Sequence, residues 1–283
     1  MKPANAWSDS KTIYDFGMNN GDDIEYYLKK GLKIVGVEAN ANLCEFCRKR
    51  FRQYLQDGQL TILNCALSQN EAPEPITFYI HKTHHELSQL PRPHQDVLSS
   101  FEATLVPQRK ASSIVAEYGQ PHYIKIDVEH FDHVVLADLF ANNIFPDFIS
   151  AESQSIDVFC ILVAGGYSSF NLVDGLSVPI TYADAQITCP TGKTAHSFNL
   201  YSTGPFGVDI VTPWRNKAAF FDLLASEGLG WKDIHATKLI APDVLARVEG
   251  PSKANPEYPR KCSLREHLRD LVPSLVRAVK SRL

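Results

Sequence analysis

The chain has 283 residues, of which 44% are hydrophobic and 21% are charged, a composition typical of a globular protein with a full core. Its formal net charge of −4 provides no overall attraction to nucleic acid or to an acidic membrane, so neither is expected as the main partner. The first residues lack the apolar run of a signal peptide, and no stretch approaches the roughly 20 apolar residues that span a bilayer. We therefore expect a cytoplasmic protein with no transmembrane segment and with reduced cysteines.

Strands and helices alternate through the first part of the chain. The hydrophobic pattern predicts a strand at 12–16, a helix at 21–31, a strand at 33–38, a helix at 41–56 and strands at 60–65 and 76–80. Strands separated by helices of this length pair in parallel through right-handed crossovers. The pattern predicts an α/β fold with a doubly wound, Rossmann-like, mostly parallel sheet.

A polar, proline-punctuated stretch interrupts this rhythm at 81–108, where a long surface loop is expected. Its histidines, His81, His84, His85 and His94, suit either an exposed loop or a lid over a binding site. The rhythm then resumes with a helix at 112–118, a strand at 123–127, a helix at 131–141, a strand at 147–151, a helix at 156–163 and strands at 167–173 and 208–212.

The C-terminal part has a different composition. Residues 251–259 are rich in Pro, Ser, Asn and Lys and are interpreted as a linker. Residues 260–283 carry seven basic and two acidic side chains with leucines at helical spacing, which predicts a basic amphipathic helix. Such a helix either docks on the core or contacts a partner or the surface of an anionic membrane.

The segment D-F-G-M-N-N-G at 15–21 lies where the first strand meets the first helix, the usual ligand position at the carboxyl edge of a doubly wound sheet. Gly17 permits a sharp turn and the close approach of a ligand, and Gly21 opens the helix N-terminus. Asn19 and Asp22 stand where a G-x-G-x-x-G dinucleotide motif would have glycines. The segment therefore predicts a nucleotide-like ligand but disfavours a pyrophosphate.

Glu38 ends the second strand, 21 residues after Gly17. An acidic side chain at this separation accepts hydrogen bonds from ribose hydroxyls. A ligand with a ribose, no pyrophosphate and a cationic centre describes S-adenosylmethionine.

The run Y-I-K-I-D-V-E-H-F-D at 123–132 delivers Asp127 and Glu129 to the carboxyl edge of the sheet. Together with D-F-G-M-N-N-G at 15–21, V-G-V-E at 35–38, N-C-A-L-S at 64–68 and I-T-F-Y-I at 76–80, it resembles the FkbM-type methyltransferases, a branch of the class I S-adenosylmethionine-dependent fold. The resemblance extends over residues 13–152, and residues 202–209 with Trp214 are similar to a segment near the end of some relatives.

The resemblance implies a role for each matching residue. The cofactor-binding residues would be Asp15, Gly17, Asn19 and Gly21 around the methionine part, Glu38 at the ribose, Ala66 with its neighbours near adenine, and Asp127 with Glu129 beside the methyl group and the acceptor. Two positions depart from the family pattern. His130 stands where the family usually has Gly, and Ala111 and Ser112 stand where it often has an Asp after a Leu.

Methyl transfer is an in-line displacement, and a hydroxyl acceptor also has to lose a proton. His130 has a near-neutral reference pKa and is the first candidate base, with Asp127 beside it and Glu152 as the second candidate. A histidine at a helix N-terminus also commonly only caps or solvates it. Whether these carboxylates and His130 bind a divalent metal is left open, and the lone C-x-x-C of Cys44 and Cys47 is interpreted as a pair of core thiols.

The sequence thus predicts an S-adenosylmethionine-dependent methyltransferase, with O-methylation of a sugar or secondary metabolite as the expected reaction and a small molecule or glycan as acceptor. Residues 1–250 would form the methyltransferase domain, with the cofactor half at about 12–152 and acceptor-side insertions at about 81–110 and 174–207. Residues 251–283 would form the linker and basic helix. The alternatives are a nicotinamide-dependent oxidoreductase and a non-catalytic binding module.

Overall fold

The computed structural model describes residues 12–200 and 202–239. The predicted linker and basic helix at 251–283 lie outside the described residues. The strands are β1 (Thr12–Phe16), β2 (Lys33–Glu38), β3 (Leu60–Asn64), β4 (Ala66–Leu67), β5 (Ile76–His81), β6 (Phe101–Val106), β7 (Gln108–Arg109), β8 (Pro121–Ile126), β9 (Phe148–Ser153), β10 (Ser169–Asp174), β11 (Gln186–Cys189), β12 (Gly192–Ala195), β13 (Arg215–Asn216) and β14 (Gly230–Thr237). The helices are α1 (Ile24–Lys29), α2 (Ala41–Arg50), α3 (Arg52–Gln56), α4 (Ala111–Tyr118), α5 (Asp132–Ala141), α6 (Ile156–Ala164), α7 (Val178–Thr181) and α8 (Lys217–Glu227).

Eight strands form the central sheet in the order β13-β10-β14-β9-β8-β1-β2-β3. The five strands from β9 to β3 pair in parallel, whereas β14 is antiparallel to both β9 and β10. From β1, the first described strand, the chain runs outward to β3 before returning to β8 on the other side of β1. This confirms the predicted doubly wound, mostly parallel sheet, and a switch of direction beside β1 opens a crevice at the carboxyl ends of the strands.

Each face of the sheet carries its own hydrophobic cluster. Period-two alternation along β1 sends Tyr14 and Phe16 to one face and Ile13 to the other. The first face is covered by α4, α5, α6 and α8, and the second by α1 and α2.

Some helices begin at side-chain caps. Asn40 accepts a hydrogen bond from the N–H of the second residue of α2, and Ser155 does the same for α6. Within the described residues, no helix is long and apolar enough to cross a membrane.

A segment after β12 covers the part of the second face that has no long helix. The ring of Phe206 stacks on Tyr123 of β8 with centroids 4.1 Å apart. Asp209 accepts a hydrogen bond of 2.8 Å from the Tyr26 hydroxyl and forms an ion pair of 2.6 Å with Lys30, both on the α1 side. These contacts fasten the segment to α1 and to the middle of the sheet.

The structure corrects three predicted elements. Residues 208–212 contain no strand, and the last strand of the sheet is β14, preceded by α8; neither was predicted. The predicted loop at 81–108 contains β6, which pairs antiparallel with β5. The predicted helix at 41–56 is two helices because Phe51 leaves helical geometry, with φ −109° and ψ 24°, and its ring is buried.

Candidate active site

The loops that follow β1 and β8 touch at the carboxyl edge of the sheet. Gly17 has φ +87°, and a Cβ added there would lie 1.8 Å from the carbonyl oxygen of Asp127. Gly21 has φ +76°, and its Cβ would lie 2.8 Å from the Phe51 ring and 3.0 Å from Cys47 Sγ. Both predicted glycines are therefore required by contacts within the protein, the first between two site loops and the second between a site loop and α2.

Glu38 is held at the end of β2 by backbone donors. The N–H groups of Asn19 and Asn40 donate to its two carboxylate oxygens at 2.9 and 2.8 Å. The side-chain amide of Asn64 donates to the carbonyls of Glu38 and Ala39, at 2.9 Å each, which fixes the end of the strand. Burial raises the pKa of the Glu38 carboxyl, and the two backbone donors partly oppose that rise. The structure thus brings together two predicted ligand residues, Glu38 and Asn19.

Polar atoms beside Glu38 have unused hydrogen-bonding capacity. Asn19, with φ +51°, has a buried Oδ1 without a hydrogen-bond partner. Asp15 is fully buried, and neither of its carboxylate oxygens has a hydrogen-bond partner. Burial raises the pKa of Asp15 to about 6. The Glu38 carboxylate and the polar atoms next to it suit a ligand that carries hydroxyl and ammonium groups.

Lys125 occupies the centre of this half of the site and was not predicted as a functional residue. Its ammonium lies 3.3 Å from Asp15 Oδ1, 3.5 Å from Asp23 Oδ2 and 3.4 Å from Asp127 Oδ2, and it donates to the Gly17 carbonyl at 3.4 Å. Burial alone lowers the pKa of this ammonium, but the surrounding carboxylates raise it well above its usual value. Strand alternation, which puts Lys125 and Asp127 on one face of β8, is the signal that could have found it.

Glu129 and His130 lie in the loop between β8 and α5 with unusual backbone geometry. Glu129 has φ +28° and His130 has φ +63°, in the left-handed region that favours glycine. The departure from the family pattern at His130 therefore falls at a position whose backbone conformation suits Gly. The His130 side chain is exposed.

Gln154, another residue that was not predicted, joins the two acidic candidates. Its Nε2 donates to Glu129 Oε2 at 2.7 Å and to Glu152 Oε2 at 2.5 Å, and its Oε1 accepts from the His130 N–H at 3.2 Å. Burial raises the pKa of Glu129 to about 7, and burial together with Asp127 raises the pKa of Glu152 well above its usual value. One amide group therefore positions two carboxyl groups that hold protons near neutral pH.

A cavity of about 430 Å³ opens beside these groups. It is lined by residues from the loops after β8 and β9, from the start of β14 and from the histidine-rich stretch: Glu129, His130, Gln154, Leu229, Trp231 and Leu87. Leu87 is the residue of the histidine-rich stretch that lines the cavity. His84 and His94 instead lie beside their sequence neighbours, with Nδ1 3.2 Å from a carboxylate oxygen of Glu86 and of Asp96. The cavity combines apolar walls with carboxyl, amide and imidazole groups.

Asp127 stands between the two halves of the site, paired with Lys125 on one side and two residues ahead of Glu129 on the other. Its side chain is 38% exposed, so it is open to a ligand.

Across residues 12–200 and 202–239, no group of three or more His, Cys, Asp or Glu side chains has the arrangement of a metal site.

The remaining predicted residues lie in packed surroundings. Ala66 is buried in a small cluster with Ala39, Phe78 and Val106, next to the end of β2. Cys44 and Cys47 are fully buried free thiols, as expected of core residues. Burial raises the pKa of each thiol to about 12.

Comparisons with known proteins point to one family. The family model described as the Methyltransferase FkbM domain matches residues 15–159, about half of the chain. This range includes the loops after β1 and β8, Glu38, Glu129 and Glu152. Among curated proteins, none matches the chain.

Solved structures of low similarity include other methyltransferases. The FkbM methyltransferase from Methylobacillus flagellatus is 17% identical with a TM-score of 0.40, and the match covers 59% of this chain and 40% of that one. A precorrin-6y C5,15-methyltransferase from Geobacter metallireducens is 12% identical with a TM-score of 0.36, covering 81% and 80% of the two chains. A geranyl diphosphate methyltransferase in complex with S-adenosylmethionine is 13% identical with a TM-score of 0.37, covering 81% and 79%. Because the family model matches half of the chain, the chain belongs to the FkbM methyltransferase family.

Proposed function

We propose that this protein transfers the methyl group of S-adenosylmethionine to a hydroxyl of a sugar or secondary metabolite in the cytoplasm. The observation that carries the proposal is the cavity lined by Glu129, His130 and Gln154, which opens two residues beyond Asp127 at the carboxyl edge of the sheet. It puts proton-accepting groups next to the half of the site that suits the donor. Membership of a methyltransferase family implies S-adenosylmethionine as donor in general.

The donor would be held by Glu38 at the ribose and by Asn19 and Asp15 at the methionine part. S-adenosylmethionine supplies a methyl group activated by a positively charged sulfur. The carboxylates of Asp15 and Asp127 complement positive charge. The chain's contribution on this side is therefore to bind and orient the donor.

On the acceptor side, the chain has to receive a proton. His130 and Glu129 both line the cavity and both can accept the proton of an acceptor hydroxyl. Glu152 is joined to the cavity through Gln154, and its raised pKa keeps it protonated at neutral pH. In this arrangement Glu152 and Gln154 hold Glu129 in place, and Trp231 with its apolar neighbours packs against the body of a small molecule or glycan.

Calorimetric titration with S-adenosylmethionine, S-adenosylhomocysteine and NADH in parallel tests the donor. We expect the first two to bind and NADH not to bind. Glu38→Ala should weaken both interactions about tenfold or more, because Glu38 is the proposed ribose acceptor. The exposed Glu102 provides a matched control, since Glu102→Ala should leave both affinities unchanged. Binding of NADH alone would refute the proposal.

A panel of sugars, phenols and aliphatic alcohols, screened by mass spectrometry for added methyl groups, then tests the acceptor. With any acceptor found, the pH dependence of kcat separates the two candidate bases. If Glu129 accepts the proton, kcat should rise with increasing pH, with a midpoint at about pH 7. Glu129→Gln should then abolish this rise, and His130→Ala should preserve it. The opposite pattern would assign the base to His130. Methylation of amines in the same panel, with none of alcohols, would refute O-methylation.

A further inference from the structure

We propose that Lys125 is the positioning residue of the donor site. By contacting Asp15, Asp23 and Asp127, it joins the loop after β1, the start of α1 and the loop after β8. It also keeps Asp15 in the anionic form that attracts the cationic part of the donor. This inference rests on the proposed donor, S-adenosylmethionine.

The contacts of Lys125 come from three separate segments of the chain. Its ammonium lies within 3.5 Å of a carboxylate oxygen of Asp15, Asp23 and Asp127, and it donates to the carbonyl of Gly17. The side chain of Lys125 is 5% exposed, so solvent screens these interactions little. One positive charge against three negative charges leaves the group net negative when all are ionised. A residual negative charge suits a ligand that brings a positive charge.

Asp15 has capacity that the protein does not use. Its side chain is 0% exposed, yet neither oxygen has a hydrogen-bond partner, and the contact with Lys125 is an ion pair only. A buried carboxylate without hydrogen bonds is costly to keep. Its negative charge is therefore only partly compensated within the protein and attracts a cationic ligand at this edge of the sheet.

The segment after β12 supports the same arrangement from the opposite side. The Ser202 hydroxyl donates to Asp23 Oδ1, and the Thr203 N–H donates to Asp23 Oδ2 at 3.4 Å. Asp23 is thus held between this segment and Lys125. The S-T-G stretch at 202–204 begins the segment 202–209 and has this role: it fixes the carboxylate that in turn restrains Lys125.

The arrangement has a consequence for pH. Burial raises the pKa of Asp15 to about 6, and Lys125 limits the rise. The donor should bind less tightly as pH falls through about 6, because a protonated Asp15 no longer attracts a cation. Without Lys125 the pKa of Asp15 should be higher, and the loss of donor affinity should therefore begin nearer neutral pH. The other titratable groups that interact with Asp15 or Lys125 are Asp23, Asp127, Asp233, Glu38, Cys47, Tyr27 and Tyr123.

The first test uses the unmodified protein. Calorimetric titrations with S-adenosylmethionine between about pH 5.5 and about pH 7.5, each in two buffers of different ionisation enthalpy, report affinity and proton exchange. We expect affinity about fourfold weaker at the lower pH, with about one-half to one proton released per donor bound there and almost none at the higher pH. Affinity independent of pH across this range would overturn the proposal without any need for a variant.

The second test compares two identical substitutions. Lys125→Met should raise the Kd for S-adenosylmethionine about tenfold or more at about pH 7.5 and should shift proton release to that pH. Lys33→Met is the matched control, since Lys33 begins β2 at the opposite end and donates to the Tyr118 carbonyl. Normal affinity and a normal pH profile in Lys125→Met would overturn the proposal while the proposed donor stands. Failure of the unmodified protein to bind S-adenosylmethionine at any pH would refute the proposed function itself.

Discussion

Glu129→Gln should make the protein more stable, and by an amount that depends on pH. The carboxyl group is only 8% exposed, and burial raises its pKa from 4.5 to about 7. The folded protein therefore holds this proton more tightly than the unfolded chain does. The stability of the folded state falls as pH rises from about 4.5 to about 7 and stays reduced above that range.

The size of this effect follows from the two pKa values. A rise from 4.5 to about 7 corresponds to about 3 kcal/mol of destabilisation at pH values above both. A neutral amide avoids that cost, and its oxygen can still accept the hydrogen bond from Gln154. We expect Glu129→Gln to be more stable than the unmodified protein by about 2–3 kcal/mol at about pH 8. At about pH 4.5 the two proteins should have equal stability.

Urea denaturation followed by tryptophan fluorescence and circular dichroism at the two pH values measures the difference. The same substitution at the exposed Glu102 of β6 is the control and should change stability by a few tenths of a kcal/mol at both pH values. A stability gain that is the same at both pH values would refute the electrostatic reasoning. So would a loss of stability at about pH 8.

Three further substitutions test the backbone and the anchors of the site. His130→Gly should raise the free energy of unfolding by about 0.5–1 kcal/mol because φ is +63° there, and thermal denaturation showing no gain over His130→Ala would contradict this. Asp209→Ala should lower the free energy of unfolding measured with urea by about 3 kcal/mol. The ammonium of Lys30 lies 2.6 Å from the Asp209 carboxylate and would lose this partner. A loss of stability below about 1 kcal/mol would show that solvent compensates the charge of Lys30 in place of Asp209. Gly17→Ala should cost about 3 kcal/mol or more, because the new methyl group would overlap the carbonyl of Asp127, and an unchanged melting temperature would disprove that contact.

The parts of the fold that were predicted correctly have strong local patterns. The bounds of β1 and β2 match the prediction because each is a short apolar run ended by a turn or a single acidic residue. β14 was missed because its sequence includes Lys232, Asp233 and His235, and these polar residues obscure the alternation. Its place between β9 and β10 depends on pairing across the chain, which local sequence does not encode.

In the candidate site, too, the residues with a local sequence signal were predicted and those that depend on distant contacts were not. Spacing identified Glu38 and the loop after β1, and the contact between Glu38 and Asn19 agrees with that interpretation. Lys125 and Gln154 were not predicted as functional residues, because contacts with residues far away in sequence give them their importance. A lysine inside a strand and a glutamine after one carry little information until the strands that surround them are in place.

The separate pairing of β5 with β6 has a consequence for how this protein changes over evolution. These two strands form a two-stranded sheet outside the central one, and the stretch between them provides Leu87 to the cavity wall. Substitutions, insertions or exchange of that stretch can therefore reshape the proposed acceptor side while the eight-stranded sheet and the loops after β1 and β8 keep their own contacts. Relatives can diverge in this connecting stretch while the buried residues of β5 and β6 stay in place, and engineers can exchange the stretch alone when they seek a new acceptor.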